Sequence, residues 1–176
     1  AFSFGVNAID SRTDARAESE WLDRHFSQPF KVKDNWNILP SVSYVNVSRY
    51  VGDGFTFGLT GSVNKIDRWI ERDFTTESTD LTANPGDLSY YGIDATVKYS
   101  FMELLKSKWL DPSAHIGGGY TWLGDASAGT LNGGLGLTFW LSKQVGISLI
   151  TLVKLCFKLK IIDINNTKIT VGIVLS

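Results

Sequence analysis

Several residue types that would narrow the chemistry are scarce in this chain. It has one cysteine, Cys156, and two histidines, His25 and His115. A lone cysteine closes no intrachain disulfide, and the Cys/His pattern offers no zinc spacing. No run of about 18 apolar residues occurs, which excludes a bilayer-spanning helix. Neither charge sign dominates: 17 Lys and Arg stand against 18 Asp and Glu. That balance gives no basic footprint, so nucleic acid is not an expected partner. There are only four prolines and a single methionine.

What is present leans the other way. The 176 residues, which fit a single domain, include 17 glycines, and 12% are aromatic. This mixture favours strands with close backbone approaches. A mean hydropathy of −0.01 does not exclude a membrane protein, because alternating strands average out.

The pattern is clearest from Thr130 to Ile161, which reads as a hairpin around Ser142-Lys143-Gln144. Leu131, Leu135, Leu137 and Phe139 share one face of the first strand, while Asn132, Gly134, Gly136 and Thr138 share the other. The second strand runs from Val145 to Ile161 with Lys154, Cys156, Lys158 and Lys160 on its non-greasy side. A period of two this long means one apolar and one small or polar face. That second strand exceeds the roughly 9–11 residues a bilayer needs, and the row Lys154, Lys158 and Lys160 is expected at the rim and beyond it.

Six further strands are expected at 1–8, 36–49, 55–64, 88–101, 109–122 and 168–176. Trp36, Ile38, Pro40, Val42 and Tyr44 form the greasy face of the second, beyond which the pattern muddles at Val45 and Val47, suggesting a bulge or the membrane edge. Gly52-Asp53-Gly54 is a tight turn, and 123–129 a glycine-rich link. Two long polar connections, about 9–35 and 65–87, alternate with short turns. Within the first, Ser19 to Phe26 could form a short capped helix. The whole reads as an all-β, eight-stranded antiparallel up-and-down barrel with long loops at one end.

Two such barrels compete: a soluble lipocalin-like carrier with an apolar lumen, and a transmembrane barrel with the faces reversed. The greasy faces are too bulky to share a narrow lumen, so they are assigned to lipid. Asp94, Lys98, His115, Asn132 and Lys154 then fall inside as a polar network, with both lysines within reach of Asp94. With the long loops extracellular, Trp36, Tyr120 and Trp122 lie at the outer interface. Phe55, Tyr99, Phe101, Trp109 and Phe139 lie at the inner one. The chain is therefore expected in a bacterial outer membrane, against outer-membrane lipid and lipopolysaccharide.

With that reading in place, the chain resembles the amino-terminal barrel of OmpA-family outer-membrane proteins. The resemblance rests on FGVNAID (4–10), the segment 25–69, DLSYYGIDATVKYSF (87–101), GGGYTWLG (117–124) and 132–149, and covers about residues 1–150. It implies a non-enzymatic integral barrel. Family members usually continue into a peptidoglycan-binding domain, absent from this sequence, so a cell-wall tether is not expected. After about residue 150 the chain departs from the family pattern and ends Ile173-Val174-Leu175-Ser176 rather than in an aromatic.

No catalytic set emerges. His25 with Asp23 and Ser19 or Ser27 shares one loop without an oxyanion device. Gly117-Gly118-Gly119 precedes no helix and so is no phosphate loop. Cys156 is read as a bystander, and neither metal nor cofactor is expected. The aromatics Trp21, Phe26, Trp69 and Phe74 of the long loops either pack together as a lid or present a contact surface to other outer-membrane proteins. The functional expectation is a structural scaffold with a filled lumen, serving as accessory subunit of an assembly, secretion or uptake complex. A ligand carrier or a small-solute pore is the alternative.

Overall fold

The alternation places each strand with one face on lipid and the other on a narrow interior, and the architecture follows from that. The computed structural model describes residues 1–10, 36–67, 69–72, 80–83, 88–157 and 166–176. Among these lie β1 (Phe2–Asp10), β2 (Trp36–Ile38), β3 (Tyr44–Gly52), β4 (Phe55–Ile66), β5 (Trp69–Arg72) and β6 (Asp80–Ala83). They are followed by β7 (Leu88–Ser100), β8 (Leu110–Leu123), β9 (Ala126–Trp140), β10 (Val145–Phe157) and β11 (Asn166–Leu175).

β4, β7, β8, β9, β10 and β11 form a continuous antiparallel wall. β1 closes it, pairing with β11 from Phe2↔Leu175 to Asp10↔Thr167. On its other side β1 meets β3 through Phe2↔Val47 to Gly5↔Tyr44, and β2 through Ala8↔Ile38 to Asp10↔Trp36. β2 and β3 thus act as one interrupted wall strand, and the barrel is closed and eight-stranded. Its exterior is apolar: Val45, Val47, Leu59, Ile93, Ile116, Leu135, Leu149, Val171 and Ile173 are all exposed. A soluble carrier would present the opposite outer face.

The interruption corrects one expectation. Tyr44 is not on the lipid face; it is only 3% exposed and points into the lumen. From Gly5 to Ala8, three steps along β1 are matched by six along the facing chain, from Tyr44 to Ile38. An odd excess reverses which side chains face inward. The apparent muddle at Val45 and Val47 is therefore regular strand in the new phase; one irregularity lies before Tyr44, and a second register shift falls between Tyr50 and Gly52. Gly5 and Gly172 make room for its ring, since a side chain at either would collide with it.

Other boundaries also shift. Asp53 and Gly54 both have positive φ, as a tight two-residue hairpin requires. The expected glycine-rich link is mostly strand, because Ala126 to Gly129 pair with Leu123 to Tyr120. Ile9 and Asp10 are strand rather than loop, as are Lys65 and Ile66, which face Ser89 and Leu88. The second long connection also contains β5 and β6, paired from Trp69↔Ala83 to Arg72↔Asp80. The expected helix at 19–26 and residues 158–161 lie outside the described residues.

The termini share the short-turn end: the Ala1 amino group donates to the Ser48 carbonyl, and the Ser176 amide to the Gln144 carbonyl. Leu59, at 57% exposed, lies on the wall facing Ala95. Replacing it by arginine is expected to cost about 2–4 kcal/mol, whereas arginine at Leu141 on the short-turn rim should cost about 0–1 kcal/mol. Reversible urea unfolding in lipid measures both; equal costs would contradict the assigned lipid face.

Candidate functional site

The interior is the one compartment where the sequence concentrates polar side chains against a mostly apolar exterior. It is layered along the barrel axis. At the long-loop end, Ile9, Ile66, Tyr90 and Leu123 form a buried apolar cluster, with Leu88 and Ala128 packed against it. These residues come from β1, β4, β7, β8 and β9, so the cluster spans the lumen from wall to wall.

Asp94 and Lys154 meet beneath this cap with Nζ and Oδ2 2.8 Å apart, both side chains 1% exposed. Asn132 donates from Nδ2 to Asp94 Oδ1 at 2.8 Å, and Lys154 Nζ reaches Thr121 Oγ1 at 3.4 Å. The Lys154 ammonium also lies 5.8 Å from the Tyr90 ring centroid, which links the pair to the cap. On the β1–β4 side, Asn64 Nδ2 donates to Asn7 Oδ1 at 2.6 Å and to the Asn37 carbonyl at 3.1 Å. Asn7 donates in turn to the Ser43 carbonyl and hydroxyl, at 2.9 and 2.7 Å. This ladder stitches the interrupted wall strand to its neighbours.

Nearer the short turns lies a second charged group. Lys98 Nζ is 2.6 Å from Asp111 Oδ2, and Ser100 Oγ donates to Asp111 Oδ1. His115 Nε2 is 3.0 Å from Ser113 Oγ. Lys98 therefore does not share Asp94 with Lys154, as the sequence suggested, because a carboxylate of its own stands at Asp111. The two clusters together hold all five expected lumen residues: Asp94, Asn132 and Lys154 in one, Lys98 and His115 in the other. Lys154 is not at the rim, since Leu155 and Phe157 continue the strand past it toward the long loops; Lys158 and Lys160 lie outside the described residues.

Two charged lumen residues escaped the sequence reading. Asp111 alternates in phase with Ser113 and His115, and Lys168 with Thr170 and Gly172, so periodicity alone marked both as inward. Lys168 is 2% exposed. Below the apolar cap the lumen holds a cavity of about 740 Å³. Its walls run from Lys168, Leu152 and Asp94 down to Ser142, Lys143, Glu103 and Ser176 at the short-turn mouth.

The aromatics sit on the wall as follows. Phe55 lies tilted against Tyr99 at 4.8 Å, Tyr99 meets Phe101 edge-on at 5.1 Å, and Trp109 stacks on Phe139 at 6.1 Å, all beside the short turns. Tyr120 and Trp122, with centroids 4.8 Å apart, lie toward the long loops. Trp36 is half-buried and its indole N–H has no hydrogen-bond partner among the described residues. Tyr91, opposite Trp122 in register, joins the outer group, a position the sequence reading had placed only on the greasy face. Trp21, Phe26 and Phe74 lie outside the described residues, and Trp69 is described only as the first residue of β5.

No family model matches the chain, and no curated protein matches it in sequence. Solved structures do match in fold. Neisserial surface protein A superposes with a TM-score of 0.58 at 12% identity, over 99% of this chain and 96% of that one. The attachment invasion locus protein Ail of Yersinia pestis gives 0.52 at 11% identity, over 99% and 95%. The fold and the apolar exterior define a small eight-stranded barrel of the bacterial outer-membrane class.

The Asp94–Lys154 pair supplies a test of the lumen. Asp94→Leu alone strands a buried ammonium and is expected to cost about 3–5 kcal/mol, whereas Asp94→Leu with Lys154→Met should cost far less. Urea unfolding in micelles measures the cycle; simple additivity of the two single changes would show that the pair is not coupled.

Proposed function

We propose that the chain is a non-catalytic, OmpA-like integral barrel of the outer membrane that acts as a scaffold and as an accessory subunit of a larger outer-membrane assembly. The observation that carries the scaffold reading is the filled outer half of the lumen. Four buried apolar side chains close it above a buried ion pair, and an eight-stranded wall leaves little room around them. The ionisable groups beneath serve structure: Asp94 is held by Lys154 and Asn132, and Asp111 by Lys98 and Ser100.

The subunit reading rests on the long-loop end. There the β4–β7 hairpin continues past Ile66 and Leu88 into the β5–β6 ribbon. The same connections carry Trp21, Phe26, Trp69 and Phe74 in the sequence. A further strand pair in a connection whose sequence carries aromatic residues suits contact with another outer-membrane protein, since aromatics are enriched at such interfaces. Tyr91, Tyr120 and Trp122 on the wall nearby suit lipid and lipopolysaccharide at the outer interface.

Two measurements separate this reading from its rivals. Planar-bilayer recordings of the purified barrel should show no sustained large conductance; stable open channels would establish a pore instead. Extraction in mild detergent should recover the chain in a complex above monomer size, dissociated by deleting the ribbon at 69–83. Recovery solely as a free monomer removes the subunit role.

A further inference from the structure

The lumen wall carries three lysines but only two partnering carboxylates among the described residues. Lys98 is committed to Asp111, and Lys154 to Asp94. The third, Lys168, is 2% exposed and has no hydrogen bond or ion pair among the described residues. A buried ammonium without a counterion is costly. Lys168 lines the deep end of the 740 Å³ cavity, beside Leu152, Ile150 and Thr170. Among the described residues the cavity lining reaches the short-turn mouth, while the apolar cluster lies across the long-loop end. Its volume falls within the range of small-molecule pockets.

We propose that this cup binds a small organic monoanion, a short-chain carboxylate or phosphate monoester, with its charged end on Lys168 Nζ and its apolar part against Ile150 and Leu152. The anion supplies the charge that the wall omits. The two apolar side chains interrupt an otherwise polar inner face of β10, which runs Gly146, Ser148, Ile150, Leu152 and Lys154. They lie beside the lysine by register, since Leu152 faces Lys168 and Ile150 faces Thr170. A charged group and an apolar patch at one depth select a ligand bearing both. Entry from the short-turn end places the source on the inner side of the membrane. The binding is independent of the scaffold role and requires no partner protein.

The test is a titration of the intact barrel in micelles, followed through the methyl resonances of Ile150 and Leu152, with lipid-facing Leu135 and Leu149 as internal references. The probes are hexanoate, hexyl phosphate and uncharged hexan-1-ol. Saturable shifts at Ile150 and Leu152 are expected with at least one anionic probe, roughly tenfold or more tighter than with hexan-1-ol. Whichever anion binds more tightly identifies the headgroup. Lys168→Met should abolish the difference between charged and uncharged probes, and Leu152→Phe should weaken binding by filling the site with Lys168 intact. Shifts confined to Leu135 and Leu149, equal responses to all three probes, or undiminished anion binding by Lys168→Met would each overturn the proposal. The comparison of charged with uncharged probes needs only the native chain, so it decides the matter even where a variant fails to fold.

Discussion

A wall set in hydrocarbon must pair its backbone groups internally, because lipid offers them no hydrogen bonds. In this chain the condition is met at the seam between β1 and β11, where the first and last strands lie in register along the whole of β1. Without that seam two long edges would face lipid with unpaired amides and carbonyls. Closure also fixes the strand number, and the strand number fixes the interior. Eight strands leave a lumen that side chains can fill, which is why each inward position matters chemically while each outward one needs only to be apolar.

The filling is graded. Apolar side chains meet near the long loops, a buried ion pair lies beneath them, and a partly water-accessible pair lies nearer the short turns, with Lys98 22% exposed against 1% for Lys154. A charge pair far from water depends on full coordination, and the inner pair depends on it less. The Asn7, Asn37 and Asn64 ladder meets a different need. It supplies hydrogen bonds where the wall strand between β2 and β3 is interrupted and the regular ladder lapses.

Most of the wall was legible because a period of two is hard to mistake over long strands. Asp94, Asn132 and Lys154 could be assigned inward from phase alone. Phase failed where the chain gains residues: nothing in Leu39 to Ser43 announces an odd insertion, so Tyr44 was assigned to lipid. Pairing across the lumen failed for a related reason. Alternation says which residues point inward but not how the strands are staggered, so Lys98 was matched to Asp94 rather than to Asp111. Lys168 shows a further limit, since an unmatched charge becomes visible only once every inward carboxylate has been placed. Glycine-rich sequence also misled at 126–129, where small residues mark strand in close contact rather than a loop.

The apolar cluster of Ile9, Ile66, Tyr90 and Leu123 is a single layer of side chains. Directly beneath it lie Asp94 and Lys154, each 1% exposed, so an apolar layer and a buried ion pair stand in series between the long-loop end and the cup. Among the described residues, the closure of the long-loop half therefore depends on a few inward side chains rather than on the length of the strands.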